Sequence, residues 1–256
     1  MPLCREAGWG VVATARDPSS LAELPMGEDL RIISLDVTDA ASIAAAAAAC
    51  TDLRLKALLN NAGYGQVGPL ELLRPEELRA QFETNVIGVH ATTNAFLPLL
   101  RREPGARILQ VASMLGRLSI PLAGPYNASK HAVVALAETL RLEIGREVAV
   151  VLVEPGAIRT AFRDTLAQAW GDLRDRARGT RYERLVPRDS ARWKDKAERF
   201  ALDAAACARQ MLPALTAKHP PRRVVIGRDA FWAGKLKALL PAAWWEALLR
   251  RAYRLD

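Results

Sequence analysis

Six short runs of apolar residues, several of them β-branched, recur along the chain between stretches in which apolar residues return every three or four positions. Continuous runs of this length are typical of buried strands, and the longer period is typical of amphipathic helices. The predicted strands cover residues 10–15, 30–35, 55–59, 106–112, 148–153 and 222–227. The predicted helices cover residues 1–8, 40–50, 75–102 with an interruption near Glu83, 124–146 and 201–215. This alternation predicts an α/β fold.

The composition fits one globular domain. At 256 residues, half of them apolar and a quarter charged, the chain can bury about three quarters of its unfolded surface. It contains no apolar run that could span a bilayer and opens without a charged-then-apolar leader. Three scattered cysteines and three histidines share no ligand spacing, so we expect neither disulfides nor a metal. These features favour a cytoplasmic protein.

The net charge of +8 is uneven, because residues 218–256 hold nine Lys and Arg against three acids. Such a surplus fits a membrane surface, a phosphate-bearing ligand or plain solubility. No nucleic-acid-binding motif accompanies the charge, so we expect no nucleic acid as a partner.

Tyr126 and Lys130 stand four positions apart on the predicted helix 124–146, which places the phenol and the ammonium on one face. A nearby ammonium favours phenolate over phenol, so the pair predicts a lowered tyrosine pKa. Moving that pKa from about 10 to near 7 requires about 4 kcal/mol of differential stabilisation. A tyrosine tuned in this way is a general acid for a developing alkoxide. A chance pair on a helix surface has the same spacing, so the neighbouring motifs decide.

Four further motifs accompany the pair. They are Asn60-Asn61-Ala62-Gly63 after one predicted strand, Asn85 in a predicted helix, Ser113 at the end of another strand, and Pro155-Gly156 through Thr160. Together they resemble the classical short-chain dehydrogenase/reductase family, over residues 9–160, with NNAG, Asn, Ser, YxxxK and PGxxxT in the family's order. The resemblance implies a Rossmann-type, doubly wound parallel sheet in three α/β/α layers, a nicotinamide cofactor, and hydride transfer between a carbonyl and an alcohol.

The resemblance also implies roles for individual residues. Tyr126 is the acid/base, which Lys130 tunes while it grips the ribose. Ser113 orients the carbonyl oxygen, and Asn85 helps to hold a water that relays protons to Lys130. For Asn85, a polar side chain that satisfies a helix irregularity is an equal alternative. The implied cofactor-binding residues are Arg16, Asp36, Val37, Asn61, Ala62, Gly63, Tyr126, Lys130, Pro155, Gly156, Ile158 and Thr160.

Arg16 follows the predicted strand 10–15, where the resemblance places the ribose of the adenosine half. A guanidinium there can grip the 2′-phosphate of NADP with two hydrogen bonds. Asp17 is the acid that could hold the ribose hydroxyls of NAD, but it lies one position too late. We therefore expect NADP rather than NAD.

One part of the family pattern is missing from these residues: the first strand and the glycine-rich TGxxxGxG turn that approaches the pyrophosphate. That strand is central in the family's sheet, so without it two strand edges would stay unpaired in the core. We expect a misassigned start or a fragment. The alternative is a short form without dinucleotide affinity.

Two segments follow the matched part within a single predicted domain over residues 1–256. The charged, irregular segment 161–200 is predicted to be the substrate lid, by its position in the family. Residues 228–256 are predicted to form a Trp-rich helical extension. This extension either closes over the substrate pocket or a subunit partner, or contacts a membrane surface through residues 231–256. The residues predicted to share one face of its last helix are Trp245, Leu248, Leu249 and Ala252.

The sequence thus predicts an NADP-preferring oxidoreductase that interconverts a carbonyl and a primary or secondary alcohol on a bulky apolar substrate. The motif line resembles the retinol and hydroxysteroid dehydrogenase branch of the family. A homodimer or homotetramer is expected by the same resemblance. The alternative is a catalytically silent binding or scaffold protein that lacks the phosphate-binding loop.

Overall fold

The structure is a computed structural model that describes residues 2–25, 27–160, 162–186 and 201–255. Its strands are β1 (Val11–Ala15), β2 (Leu30–Ser34), β3 (Ala57–Asn60), β4 (Arg107–Val111), β5 (Ala149–Pro155), β6 (Ile158–Arg159), β7 (Leu202–Asp203) and β8 (Arg223–Ile226). Its helices are α1 (Pro2–Glu6), α2 (Ala40–Ala48), α3 (Pro75–Phe82), α4 (Gly88–Leu100), α5 (Gly124–Glu143), α6 (Phe162–Ala169), α7 (Leu173–Ala177), α8 (Ala204–Thr216), α9 (Arg228–Leu239) and α10 (Ala242–Tyr253).

The strand pairs of the described chain are parallel. Strands β3, β4, β5 and β8 form one sheet in the order β3-β4-β5-β8, and β1 pairs with β2 in a second. The short strands β6 and β7 form a third pair beyond the end of β5. Parallel pairing carries the end of each strand to the same edge, which is where open α/β sheets bind ligands.

Helices cover both faces of the four-stranded sheet. On one face Ile108 of β4 packs in a cluster with Val133 of α5. On the other face Leu109 packs with Ala214 of α8. Strands buried on both faces appear in a sequence as continuous apolar runs, which explains why the hydrophobic pattern located them. The predicted three-layer α/β/α fold is confirmed.

The sheet is interrupted between β1 and β3. Within the described residues, β1 is hydrogen-bonded only to β2, and β3 only to β4. An apolar cluster nevertheless joins the two parts, because Val12 of β1 and Leu58 of β3 both pack against Phe96 and its buried neighbours. Leu59 of β3 is exposed. The two unpaired edges predicted from the sequence are therefore present.

The long predicted helix 75–102 is interrupted where its sequence suggested. Helix α3 ends at Phe82, a π-helical turn occupies Glu83–Ile87, and α4 begins at Gly88. Such turns occur mostly as single-turn bulges in α-helices and are frequent at functional sites. The bulge contains Asn85, whose side chain is fully buried.

The segment predicted to be the lid is described in part. Residue 161 and residues 187–200 lie outside the described residues. Residues 162–186 form α6, α7 and a turn, anchored by the buried side chains of Trp170, Leu173 and Val186 against Val67. This anchoring places α6 over the start of α5. The assignment of the segment as a substrate lid stays a prediction.

The carboxyl-terminal extension consists of α9 and α10. Trp245 is buried against Leu115 and Leu118, and Leu249 packs beside it. Leu248 and Ala252, predicted to share a face with these two residues, are exposed. The part of that face that packs on the 114–120 loop is formed by Trp245 and Leu249. No helix in the described part of the chain is long and apolar enough to cross a membrane.

Candidate active site

Ser113, Tyr126 and Lys130 converge at the carboxyl end of β4. Ser113 follows that strand, and its hydroxyl accepts a hydrogen bond from the Leu115 amide at 3.1 Å, which caps the turn Met114–Gly116. The first two turns of α5 present Tyr126 and Lys130 on the face toward the sheet. The Lys130 Nζ lies 5.7 Å from the centre of the Tyr126 ring. The predicted shared face of the pair is thus present, with the serine beside it.

The pKa of Tyr126 moves in the direction opposite to the one predicted. Burial raises the pKa of Tyr126 to about 12, and a hydrogen bond with the Ser113 hydroxyl opposes part of the rise. The prediction considered the ammonium and left out the loss of water around the phenol, which disfavours the charged phenolate. The Tyr126 phenol is therefore protonated throughout the physiological range.

Lys130 is buried as well. Its ammonium donates a hydrogen bond of 2.8 Å to the Val111 carbonyl, which directs the charge toward the end of β4 rather than onto the phenol oxygen. Burial lowers the pKa of Lys130 to about 8. The ammonium form still predominates at pH 7, so the site holds a neutral phenol next to a cation.

Asn85 is fixed by the backbone across from α5. Its Nδ2 donates to the Tyr64 carbonyl at 2.9 Å and to Ser129 Oγ at 3.2 Å, and its Oδ1 accepts from the Tyr64 amide at 3.1 Å. The bulge thus ties the 61–65 loop to α5 one residue before Lys130. These bonds go to another loop and another helix, not to the backbone of the π-helical turn, so they do not decide between the two roles predicted for Asn85. The water relay through Asn85 stays a prediction.

The NNAG motif divides into a buried and an exposed part. Asn60 is buried, and its Nδ2 donates to Thr93 Oγ1 at 2.8 Å and to Gln110 Oε1 at 3.1 Å. The predicted binding residues Asn61, Ala62 and Gly63 follow it, exposed at the carboxyl end of β3. Their backbone is therefore open to a ligand. The buried network was not predicted, because its members are 17 to 50 residues apart.

The residues predicted to bind the adenosine half lie together at the ends of β1 and β2. Arg16 is exposed and close enough to Asp36 to contribute to lowering the pKa of that carboxyl, although hydrogen bonds from Thr38 contribute more. Val37 packs so closely on Gly88 that a Cβ there would lie 2.5 Å from the Val37 carbonyl oxygen.

Asp17 is engaged within its own turn. Its carboxylate accepts hydrogen bonds from the Ser19 amide at 2.9 Å and from the Ser19 hydroxyl at 2.8 Å. These bonds hold the pKa of Asp17 below its usual range. Its oxygens cap the turn Pro18–Leu21, next to the exposed side chain of Arg16.

The segment at the end of β5 carries the predicted binding residues Pro155, Gly156, Ile158 and Thr160. It is held by Asp229, an acid of α9 that the sequence analysis did not identify. Asp229 Oδ2 accepts a hydrogen bond of 2.7 Å from the Ala157 amide. The whole Asp229 carboxylate, both oxygens included, occupies the space that a Cβ on Gly156 would need. The Gly156 amide donates to the Ile226 carbonyl at 2.8 Å. Asp229 therefore positions the loop expected to face the nicotinamide.

A second unpredicted group is the buried carboxylate of Glu154. Arg117 Nη2 lies 2.8 Å from Glu154 Oε2, and Arg223 pairs with the other oxygen. Burial raises the pKa of Glu154, and the two guanidinium groups oppose that rise. The arrangement ties the loop after Ser113 to the end of β5. The signal available in the sequence was a lone charged residue directly after the apolar run 148–153.

Apolar side chains surround the Tyr126 ring. The Phe162 ring of α6 lies 5.4 Å from it, centre to centre. Leu115, Leu118 and Trp245 form a buried cluster against which Tyr126 also packs. A separate cavity of about 580 Å³ lies between α10 and the opposite face of α5, and neither Ser113 nor Tyr126 lines it. The catalytic tyrosine predicted from the sequence therefore faces an apolar wall.

Comparisons with known proteins point to one family. A family profile described as short chain dehydrogenase matches residues 3–170. Rat estradiol 17-beta-dehydrogenase 1 is 37% identical over 183 residues, which are 68% of this chain and 53% of the rat enzyme. A short-chain dehydrogenase structure from Streptomyces avermitilis is 30% identical, with a TM-score of 0.76 over 97% of this chain and 91% of that one. A Burkholderia cenocepacia short chain dehydrogenase in complex with NADP is 26% identical, with a TM-score of 0.67 over 93% and 85%.

The family profile covers more than half of the chain, and the solved structures share its fold. The protein belongs to the short-chain dehydrogenase family. The matched part spans 53% to 64% of the length of several curated relatives.

Proposed function

We propose that the protein is an NADP-preferring oxidoreductase that interconverts a carbonyl and a primary or secondary alcohol on a bulky apolar substrate. The observation that carries this proposal is the convergence of the Ser113 hydroxyl, the Tyr126 phenol and the Lys130 ammonium at the carboxyl end of β4. Family membership makes hydride transfer the expected chemistry of such a site.

Two parts of a nicotinamide dinucleotide find suitable groups in this chain. Arg16 offers a guanidinium for a 2′-phosphate, and Asp17 is occupied by Ser19, which together favour NADP over NAD. Lys130 and the exposed backbone of residues 61–63 suit the ribose near the nicotinamide, and the loop from Gly156 to Thr160 suits its carboxamide. The 256 residues contain no TGxxxGxG turn for the pyrophosphate, which would lie at the gap between β1 and β3.

The bound nicotinamide would supply or accept the hydride. In carbonyl reduction Ser113 donates a hydrogen bond to the substrate oxygen, which fixes its position and stabilises the developing negative charge. Tyr126 then donates its proton to that oxygen, since an alkoxide is a stronger base than this phenolate. The Lys130 ammonium stabilises the phenolate left behind. In alcohol oxidation the same groups act in reverse.

The apolar wall beside Tyr126 supports the substrate class. Phe162, Leu118 and Trp245 offer contact area and no charge to a bound ligand. The similarity to rat estradiol 17-beta-dehydrogenase 1 supports a steroid-like or comparably bulky molecule. A homodimer or homotetramer is proposed with it, because members of the family commonly form dimers or tetramers.

The test is turnover by Tyr126→Phe. We expect NADPH oxidation with apolar ketones and aldehydes to be faster than NADH oxidation, and to fall by about 10²–10⁴-fold in this variant. NADPH affinity, measured by fluorescence titration, should change little. Tyr182→Phe is the matched control, because it removes a phenol that donates a hydrogen bond to Glu71. As part of the predicted lid, Tyr182 is expected to affect KM at most and to leave kcat unchanged. Turnover near the parent rate in Tyr126→Phe would refute the role of this residue.

The same titration separates the alternative. A catalytically silent binding or scaffold protein would show neither NADPH affinity nor turnover in the parent chain. The observation that favours a catalytically silent protein is the gap between β1 and β3, where the pyrophosphate would bind.

A further inference from the structure

Helix α9 carries an apolar stripe on its outward side. Phe231, Trp232, Leu236 and Leu239 are all exposed, with Trp232 at 61% and Leu239 at 81%. Their spacing of one, five and eight positions from Phe231 places them on one side of a helix. The opposite side, with Ala230 buried and Gly234 against Arg117, packs on the body of the protein. Both sides of α9 are therefore apolar, and only one of them is covered.

Helix α10 exposes apolar side chains as well. Trp244 is 68% exposed and Leu248 lies one turn further along the same side. Trp245, next to Trp244, is instead buried at 7%. We call this set of exposed side chains the aromatic face; it consists of Phe231, Trp232, Leu236, Leu239, Trp244 and Leu248. These six make up half of the twelve large apolar side chains that are exposed in the described chain.

Positively charged side chains lie on the aromatic face and beside it. The Lys235 ammonium lies 4.5 Å from the centre of the Phe231 ring and 5.9 Å from that of Trp232. The Lys237 ammonium lies 5.7 Å from the Trp245 ring. Arg250 and Arg251 follow at the end of α10, and residues 218–256 carry a surplus of six positive charges, nine against three.

We propose that the aromatic face binds peripherally to the surface of an anionic phospholipid bilayer. Tryptophan rings and lysine side chains, with apolar stems and polar ends, suit the boundary between acyl chains and headgroups. The positive surplus complements anionic headgroups. A second copy of the chain is the disfavoured occupant, because a two-fold interface would enclose the positive surplus of both copies in one contact.

Docking requires the two helices to lie flat. The chain leaves α9 and enters α10 through Leu240 and Pro241, and both helices contact the body through Leu240, Trp245 and Ala233. The membrane-facing side and the protein-facing side are thus opposite surfaces of the same helices. Binding of this kind needs no spanning segment and no change in the fold.

The test is co-sedimentation of the full chain with vesicles of phosphatidylcholine alone or mixed with phosphatidylserine. We expect binding to the mixed vesicles, with a blue shift of tryptophan emission. Trp232→Ala/Trp244→Ala should weaken this binding by at least about tenfold. Leu142→Ala is the matched control, since Leu142 is 83% exposed on α5 and should leave binding unchanged.

Charge is tested separately. Lys235→Glu/Lys237→Glu should abolish the preference for phosphatidylserine, whereas Arg181→Glu/Arg209→Glu should lower it only slightly. Arg181 is a matched control because it also lies over an aromatic ring, 5.2 Å from that of Tyr182. Circular dichroism verifies that each variant is folded.

Two results would overturn the proposal. One is equal vesicle binding by the parent and the double tryptophan variant. The other is a parent that ignores vesicles but sediments as a dimer, with the tryptophan variant sedimenting as a monomer, which would assign the face to a second copy. Neither result depends on turnover. The membrane proposal can therefore be refuted while the proposed function holds, and the reverse.

Discussion

At the scale of single residues, Asp229 shows how a site can be held by a group far away in sequence. Its carboxylate reaches the Ala157 amide across 72 positions and fits between Gly156 and Gly227, where any added Cβ would collide with it. Gly227 has a φ of +96°, a conformation that side chains disfavour. The three residues therefore form one interlocked contact.

We predict that this contact is energetically coupled. Asp229→Ala leaves the Ala157 amide without its acceptor, so its hydrogen exchange should become faster in the protein without cofactor. Gly156→Ala should be strongly destabilising in the parent and much less so in Asp229→Ala, because the clashing oxygen is then gone. Urea unfolding of the two single variants and the double variant gives the coupling. Strictly additive losses would show that Gly156 is constrained by something other than Asp229.

Lys130 gives a prediction about pH. Because its pKa falls from 10.5 to about 8 on folding, the unfolded chain holds more protons between those values, and stability should rise with pH across that window. Below about pH 8 both states are protonated, and this group contributes no pH dependence.

Replacing Lys130 by Met should remove this rise. Between pH 7.5 and 9.5, the free energy of unfolding of the parent should gain about 2 kcal/mol relative to Lys130→Met, measured by urea titration at both values. Thiols of the unfolded chain also titrate near this range, while burial raises the pKa values of Cys50 and Cys207 in the folded protein. Their contribution is common to both proteins and cancels in the comparison. Parallel pH profiles would mean that the lysine is not desolvated.

Residue positions in the site were predictable where a motif fixes them to a strand or helix end. Ser113, Tyr126 and Lys130 are brought together as expected because β4 and α5 are consecutive. The direction of the Tyr126 pKa was not predictable from the Lys130 spacing, since it depends on how much water the surrounding apolar side chains exclude. Asp229 and Glu154 were missed because their partners come from distant elements.

At the scale of elements, the hydrophobic pattern placed the ends of the six strands and five helices that it predicted within three residues. The largest shifts are the end of α5 at Glu143 instead of 146 and the start of α8 at Ala204 instead of 201, where β7 precedes it. It did so because most of these elements bury one side or both. In the extension the pattern predicted helix but not which side of each helix is buried. Helix α9 is apolar on two sides, and periodicity alone does not tell which of them faces inward. The neighbouring tryptophans Trp244 and Trp245 illustrate this, one exposed and the other buried.

These two tryptophans provide a matched pair for a stability measurement. Trp245→Ala should lower the free energy of unfolding by about 3 kcal/mol, because it empties a buried site against Leu115 and Leu118. Trp244→Ala should change it by less than about 0.5 kcal/mol, as expected for an exposed side chain. Urea denaturation followed by circular dichroism compares the two. Equal losses would mean that α10 does not pack as described.

At the scale of the whole molecule, the layered fold followed from the order of the elements, because parallel strands joined by helices have few other arrangements. The sequence predicted the interruption of the sheet, but not the contacts that hold its two parts together. The structure answers that side-chain packing, with Val12 and Leu58 on a common cluster around Phe96, keeps the two parts of the sheet together. Apolar contacts thus do here what strand hydrogen bonds do elsewhere in the sheet.

The same interruption has a consequence for handling the protein. Backbone amides and carbonyls along β1 and β3 are templates for any extended peptide, including the unfolded segments of neighbouring molecules in a crowded solution. Growth of such contacts depends on concentration and proceeds without any change in the active-site residues. Loss of material on concentrating the protein would then reflect promiscuous edge pairing rather than an unstable core.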